Sequence, residues 1–515
     1  MQSNNSDIKP KKKIMTYIII AIVIIAIVGG GVGYYISTLH KPAKVETITV
    51  AAPVYSSSST DWSDFINNAT LSWQAAHPNV KIEFIGPSGA SSEGQYYTKL
   101  DLLTSSSSTA PNVMLEDMFY TATYQSEGIL APLNSYVNST VFNNMFPSAL
   151  GQMTINGIHY GLPAQVTDTL IYYNITLLQD AGVISHSTTV WQPTNWTQII
   201  DAAEMVNKTL VPSTPGLIPL NIYEGVKGDE ASSFTGFEGL LYGTGYGLYN
   251  FTDSKWCGYN SGLNETFSFY KTVFGDDLAT SALSSTPYIT AGQYMQEGKL
   301  AIDIDGSWMY GYQWAPGAQH SISNFSKYVG VAKIPTINGQ SPGFNTMVGG
   351  WGWAMYNGTT DKTLVASFME ALDNTSNQIL INEPGQALAG GLPTAKNAVN
   401  NPNFAKLMPD DPSLDTFYTN ILEYGSYRPP IAAYPKVSDV LQEVMGDIVS
   451  ADYSVAKAAS TYDSLLVSAV GSGSVKDIVS PYYNINTNNI SNNQLNYISD
   501  LYSDISILLI NNILW

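Results

Sequence analysis

A chain of 515 residues is too long for one small module, and a prior of about 150 residues per domain divides it into about three. Hydrophobic residues make up 44% and aromatics 12%, which excludes a largely disordered chain. Charged residues are only 12%, against roughly 25% in ordinary soluble domains, and 22 Lys and Arg against 41 Asp and Glu leave a net charge of −19 that excludes a nucleic-acid partner.

Lys9, Lys11, Lys12 and Lys13 precede an uncharged apolar run at 14–36, whose 23 residues suffice to cross a bilayer core of about 30 Å. The run exceeds the apolar part of a cleaved secretory signal, and Ser37-Thr38-Leu39-His40-Lys41-Pro42 after it holds no Ala-x-Ala pattern. An uncleaved single-pass anchor is therefore expected, with the basic segment 1–13 cytoplasmic and the body outside the cell. Cys257 is the only cysteine, so no intrachain disulfide forms, and its mid-chain position excludes a lipid-anchor role. Asn-x-Ser/Thr acceptors stand at Asn68, Asn138, Asn174, Asn195, Asn207, Asn250, Asn264, Asn324, Asn357, Asn374 and Asn489. Sugar at some of them would supply the solubility that charge does not.

Residues 46–54 read as a buried strand, 63–76 as a helix and Val80–Ile85 as a strand, a β-α-β opening. A Ser-rich turn at 104–108 leads to a strand over Asn112–Leu115 and a helix from Tyr120 that ends near Gly128. Strand-like and helical stretches then alternate through 170–173, 196–206, 267–274, 300–304 and 329–334, with helical periodicity at 361–372 and 437–449. That alternation predicts layered α/β architecture. Gly471-Ser472-Gly473-Ser474 reads as a flexible joint, and Leu495, Ile498, Tyr502, Ile505 and Leu509 predict an amphipathic C-terminal helix, so 471–515 forms a separate tail.

Phosphate-loop, His-Glu-x-x-His, paired-cysteine and Gly-x-Ser-x-Gly patterns are missing, and the five histidines are scattered, so no catalytic residue, metal site or cofactor is assigned. Paired carboxylates at Glu116-Asp117, Asp276-Asp277, Asp303/Asp305 and Asp410-Asp411 leave a glycoside hydrolase as an alternative, since two carboxyls about 5 to 9.5 Å apart would meet that need. Aromatics beside polar groups carry more information. Asp303-Ile304-Asp305-Gly306-Ser307-Trp308 and Gly349-Gly350-Trp351-Gly352-Trp353 each set a Trp just past a Gly turn, where its face could stack on a sugar ring. Packing in the core is the competing use of either ring.

A colinear series over about 46–465 resembles the extracellular solute-binding proteins of ABC importers, carbohydrate type, including those for maltose and related sugars. It runs through Ala110-Pro111-Asn112-Val113, Glu116-Asp117, Gly128-Ile129-Leu130-Ala131-Pro132-Leu133, Asn156-Gly157-Ile158-His159-Tyr160-Gly161-Leu162-Pro163, Tyr172-Tyr173-Asn174 and Pro193-Thr194-Asn195-Trp196. Glu297-Gly298-Lys299-Leu300-Ala301, Gly306-Ser307-Trp308, Val331-Ala332-Lys333-Ile334-Pro335, Gly349-Gly350, Gly391-Leu392-Pro393 and Arg428-Pro429 complete it. Asn112 stands where the family usually has Asp. Low charge, many Tyr and Ser, the anchor and the acceptors also resemble surface proteins of acid- and heat-tolerant archaea.

The resemblance implies a two-lobed α/β fold of the periplasmic-binding-protein type, with lobe one at 46–163 and 335–388 and lobe two at 164–334 and 389–470. It implies a carbohydrate held in the interlobe cleft and delivered to ABC permease subunits, without turnover. Glu116, Asp117, Tyr120, Thr167, Asp168, Trp308, Trp351 and Arg428 carry over as ligand-binding candidates. A receptor of the same fold for peptides or polyamines is the other alternative.

Overall fold

The computed structural model describes residues 23–29, 46–53, 62–86, 93–286, 290–383, 390–399, 401–405, 420–421 and 424–481. They fall in two compact units. In the smaller, Met1–Thr47 with His77–Lys81, residues 23–29 are helical and the Glu46 amide donates to Asn79 O at 3.0 Å. Most of the expected anchor, the 495–509 helix, Asn489 and Asp410-Asp411 lie outside the described residues. Among those described, no helix is long and apolar enough to cross a membrane.

The larger unit, Ile48–Ala76 with Ile82–Trp515, carries two main sheets. Their strands in chain order are β1 (Glu46–Ala51), β2 (Val80–Ile85), β3 (Val113–Asp117), β4 (Gly161–Pro163), β5 (Thr167–Asn174) and β6 (Ile218–Asn221). Then follow β7 (Leu300–Gly306), β8 (Val329–Ala332), β9 (Ile334–Pro335), β10 (Phe344–Gly349), β11 (Trp351–Met355) and β12 (Gly425–Tyr427). Lobe one is the sheet β2-β1-β3-β11-β4, and lobe two is β9-β10-β5-β7-β6, with β8 paired to β5 and β12 to β10.

Local sequence explains most elements. β3, β5 and β7 are buried along their whole length, which is why each carries an unbroken apolar stretch, Val113–Leu115, Leu170–Tyr173 and Leu300–Ile302. In the helix Trp196–Thr209 the buried residues Trp196, Ile199, Ala202, Ala203 and Val206 recur at helical spacing, and Asn195 Oδ1 accepts from the Gln198 amide at 3.0 Å to cap it. Asn112 Oδ1 accepts from both the Thr49 amide and its hydroxyl, while Asn112 Nδ2 donates to Thr359 Oγ1. That last bond uses an amide donor that an Asp at this position would lack.

Three sequence expectations change. The lobe boundary at 335 moves to Gly350, because β10 pairs with β5 in the second sheet whereas β11 pairs with β3 in the first. The joint at 471–474 is a single 3-10 turn, after which Val475–Lys476 returns as a strand paired parallel to Lys255–Cys257. Two glycan acceptors, Asn174 and Asn250, are buried. Asn174 caps Ile175–Asp180, and Asn250 accepts the amides of Thr252 and Asp253, so a glycan at either would have to displace packed chain.

Candidate functional site

The two lobes are joined where strand ends meet. β3 ends in Glu116-Asp117 and β11 begins with Trp351, directly paired to Asp117. β5 begins with Thr167 and Asp168, paired to Gly349 and Val348 at the end of β10. β7 ends at Gly306 opposite Thr169, which carries Ser307 and Trp308 to the same edge, where the Ser307 amide donates to Asp168 O at 2.9 Å. β12 ends with Tyr427 beside Val348, delivering Arg428 there. In open α/β sheets such crevices at strand ends are where ligands bind. Gly350 links β10 to β11 at φ 151°, and a Cβ there would stand 2.1 Å from Gln165 O, so the close passage of the two crossings requires glycine.

Arg428 is the hub, only 5% exposed. Its Nη2 donates to Asp117 Oδ1 of lobe one at 2.5 Å and its Nη1 to Glu230 Oε1 of lobe two at 3.2 Å. The guanidinium lies between the rings of Phe119 and Phe234, at 4.2 and 4.4 Å from their centroids. A Cβ at Gly349 would meet Nη2 at 2.6 Å, so this glycine makes room for the charge. Around Glu230, Tyr434 OH donates at 2.8 Å and Ser438 Oγ at 2.6 Å. Burial pushes the Glu230 carboxyl up, with the Arg428 charge opposing it. Glu238 is the second hydrogen-bond partner of the Tyr434 hydroxyl; its burial lifts its pKa to about 8, so the acid supplies the proton of this bond while the phenol hydrogen goes to Glu230.

From this hub an aromatic ladder runs both ways. On the lobe-two side Phe234 stacks on Trp308, centroids 6.4 Å apart. On the lobe-one side Phe119 leans on Tyr120 at 4.5 Å, Tyr120 stacks on Tyr97 at 3.5 Å, and Tyr97 meets Tyr96 at 5.2 Å. Tyr96 meets Trp351 edge-on at 6.3 Å. Within this ladder Trp308, Tyr120 and Trp351 are half-buried and the other rings are buried.

The structure thus gathers all eight sequence candidates around the crossings but gives them different surroundings. Tyr120, Trp308 and Trp351 are half-buried. Asp117 and Arg428 face each other as an interlobe pair. Thr167 and Asp168 are buried strand residues, and Asp168 Oδ2 accepts from Asn420 Nδ2 at 2.6 Å. Glu116 is fully enclosed in lobe one, where Thr121 Oγ1 donates to its Oε1 at 2.8 Å, and burial raises its pKa to about 8. It therefore carries a proton at neutral pH. Asp303 and Asp305 are buried within β7, accepting from Asn221 Nδ2 at 2.9 Å and Tyr223 OH at 2.7 Å. Among the described residues no three His, Cys, Asp or Glu gather as a metal site.

Sequence reasoning passed over Phe119, Phe234, Glu230 and Tyr434. Phe119 sits two residues from a chosen aspartate and could have been found by extending the motif. Glu230 and Phe234, on the wide π-helical stretch Ala231–Glu238 and its N-cap, carry no local signal.

Comparison with known proteins agrees with this geometry. The model of the bacterial extracellular solute-binding protein family matches residues 56–379, and the chain belongs to that family. A Brucella abortus (strain 2308) protein with a provisional binding-protein designation is 23% identical over 182 residues, 35% of this chain and 40% of that one. The match therefore spans well under half of that relative's length. Among solved structures, the GacH receptor of Streptomyces glaucescens, studied unliganded and with acarbose, superposes with a TM-score of 0.65 at 19% identity, covering 83% of this chain and 99% of that one. Maltose-bound MalE3 of T. maritima gives 0.65 at 17%, covering 82% and 98%. An ABC substrate-binding protein of Listeria monocytogenes in complex with cycloalternan gives 0.64 at 16%, covering 83% and 99%. These likenesses establish the two-lobed fold.

Proposed function

We propose that this protein is the extracellular receptor of an ABC importer that closes its lobes on a sugar or oligosaccharide and hands it to permease subunits. The observation that carries this reading is the aromatic ladder, whose three half-buried rings come from both lobes at the crossings. Sugar hydroxyls need fixed polar partners in place of water while the apolar ring faces stack on aromatics. The charge balance favours a neutral ligand over a polyamine. Asp117 and Glu230 share Arg428, and Glu116 and Glu238 hold protons at neutral pH, so few carboxylates are left to offset cations. The solved relatives that bind acarbose, maltose and cycloalternan support the same class.

Replacing Trp308 with alanine is expected to weaken sugar binding by about 1–3 kcal/mol, with a smaller loss of stability than the roughly 3–5 kcal/mol of a fully buried Trp. Calorimetry of wild type and W308A against mono- and oligosaccharides, with thermal melts of both, checks this. Binding of peptides or polyamines with no response to any sugar overturns the sugar reading, and release of cleaved sugar overturns the receptor reading.

The single-pass anchor at 14–36 and glycosylation at exposed acceptors such as Asn138 and Asn374 belong to the same proposal. Protease treatment of intact cells should destroy epitopes across 46–515, and protection of all of them sinks the proposed orientation.

A further inference from the structure

Asp229 stands on lobe two in the loop after β6, at φ 54° and ψ −143°, a region that side-chain-bearing residues avoid. Such an outlier persists only where its surroundings over-determine it, and it points to a functional constraint. Here the loop aims the carboxylate across to lobe one. Asp229 Oδ2 accepts from the amide of Gly94 at 2.8 Å, in the first turn of the helix Glu93–Thr104. The N-terminal amides of a helix lack intrahelical acceptors and carry its positive dipole end, so a carboxylate there makes a charge-assisted bond. A Cβ at position 94 would lie 3.4 Å from both carboxylate oxygens, at ordinary contact distance, so the carboxylate is seated directly against this turn. A second tie also joins the lobes: Thr123 Oγ1 of lobe one donates to Ala432 O of lobe two at 3.0 Å.

We propose that Asp229 is a built-in latch that holds the lobes together without ligand by gripping the N-terminus of the helix Glu93–Thr104. This rests on the two-lobe receptor reading but not on the identity of the ligand. The bond joins the lobes only when they are closed, so it adds the same increment to closure whatever the ligand is. A ligand that touches both lobes then binds more tightly by the fraction of molecules already closed.

The test uses the full chain in detergent with dyes on L102C of lobe one and V190C of lobe two, both exposed positions, while the single native cysteine, Cys257, is buried. Two variants remove the bond from opposite ends. Asp229→Gly deletes the carboxylate and relieves the backbone, and Gly94→Pro deletes the donor at a first-turn position that tolerates proline. Without ligand, wild type should show mainly the short interdye distance, and each variant should shift toward the long one. Raised salt should move wild type the same way by screening the contact. Every sugar that binds should lose affinity by one common factor, roughly 3- to 10-fold, and D229G should melt no lower than wild type. Identical distance distributions in wild type and both variants overturn the latch. A loss confined to one sugar overturns it as well, making Asp229 a ligand contact instead. Because the distance measurement needs no sugar, failure of the sugar reading leaves this test intact.

Discussion

Arg428→Ala is expected to destabilise the protein by about 3–5 kcal/mol, the cost of leaving buried charges without their counter-ion. The guanidinium is the ion-pair partner of both Asp117 and Glu230, and these carboxylates are each 7% exposed. Removing it also empties the space between Phe119 and Phe234 and breaks the aromatic ladder at its centre. Arg428→Lys keeps the charge but loses the planar fork and the stacking on two rings, so an intermediate loss is expected. The triple variant Asp117→Asn, Glu230→Gln, Arg428→Met removes all three charges together and should cost much less than the single alanine. Urea unfolding midpoints check the series. An Arg428→Ala loss below about 1 kcal/mol would show that the pair is solvated in solution, as surface pairs are.

A second large effect concerns pH. Burial raises Glu116 and Glu238 from 4.5 to about 8, and Asp303 from 3.8 to about 7. In each case the folded protein binds the proton more tightly than the unfolded chain does. Stability from these groups is therefore fully present below about pH 4 and is lost as pH rises toward 7 to 8. Each group contributes a slope of at most about 1.4 kcal/mol per pH unit within its window. The melting temperature should consequently be higher at pH 5 than at pH 8.5. Glu116→Gln, which mimics the protonated acid, should flatten the dependence by about one proton, and an unchanged slope in that variant would show that Glu116 is ionised in the folded state.

The secondary structure and the family were legible in the chain for a local reason. Apolar runs such as Val113–Leu115 and Leu300–Ile302 report burial on both strand faces, and Asn195 before Trp196 or Asp361 before Lys362 reports a helix start. The order of short motifs added the two-lobed plan. The eight candidates lie together near the crossings because motifs at or just past strand ends travel with their strands.

Which of those candidates are half-buried and which are enclosed was decided only by the tertiary structure. Asp117 and Arg428 are 311 residues apart and Glu230 lies 198 from Arg428, so no local pattern could show that one guanidinium serves both carboxylates. β10 and β11 are two apolar strands separated by one glycine, and periodicity cannot say that they enter different sheets. The acceptor triplets at Asn174 and Asn250 are as good locally as any other, yet packing encloses them. Periodicity and capping are properties of a few neighbouring residues, whereas charge pairing, ring stacking and burial depend on which distant segments the two chain crossings bring together.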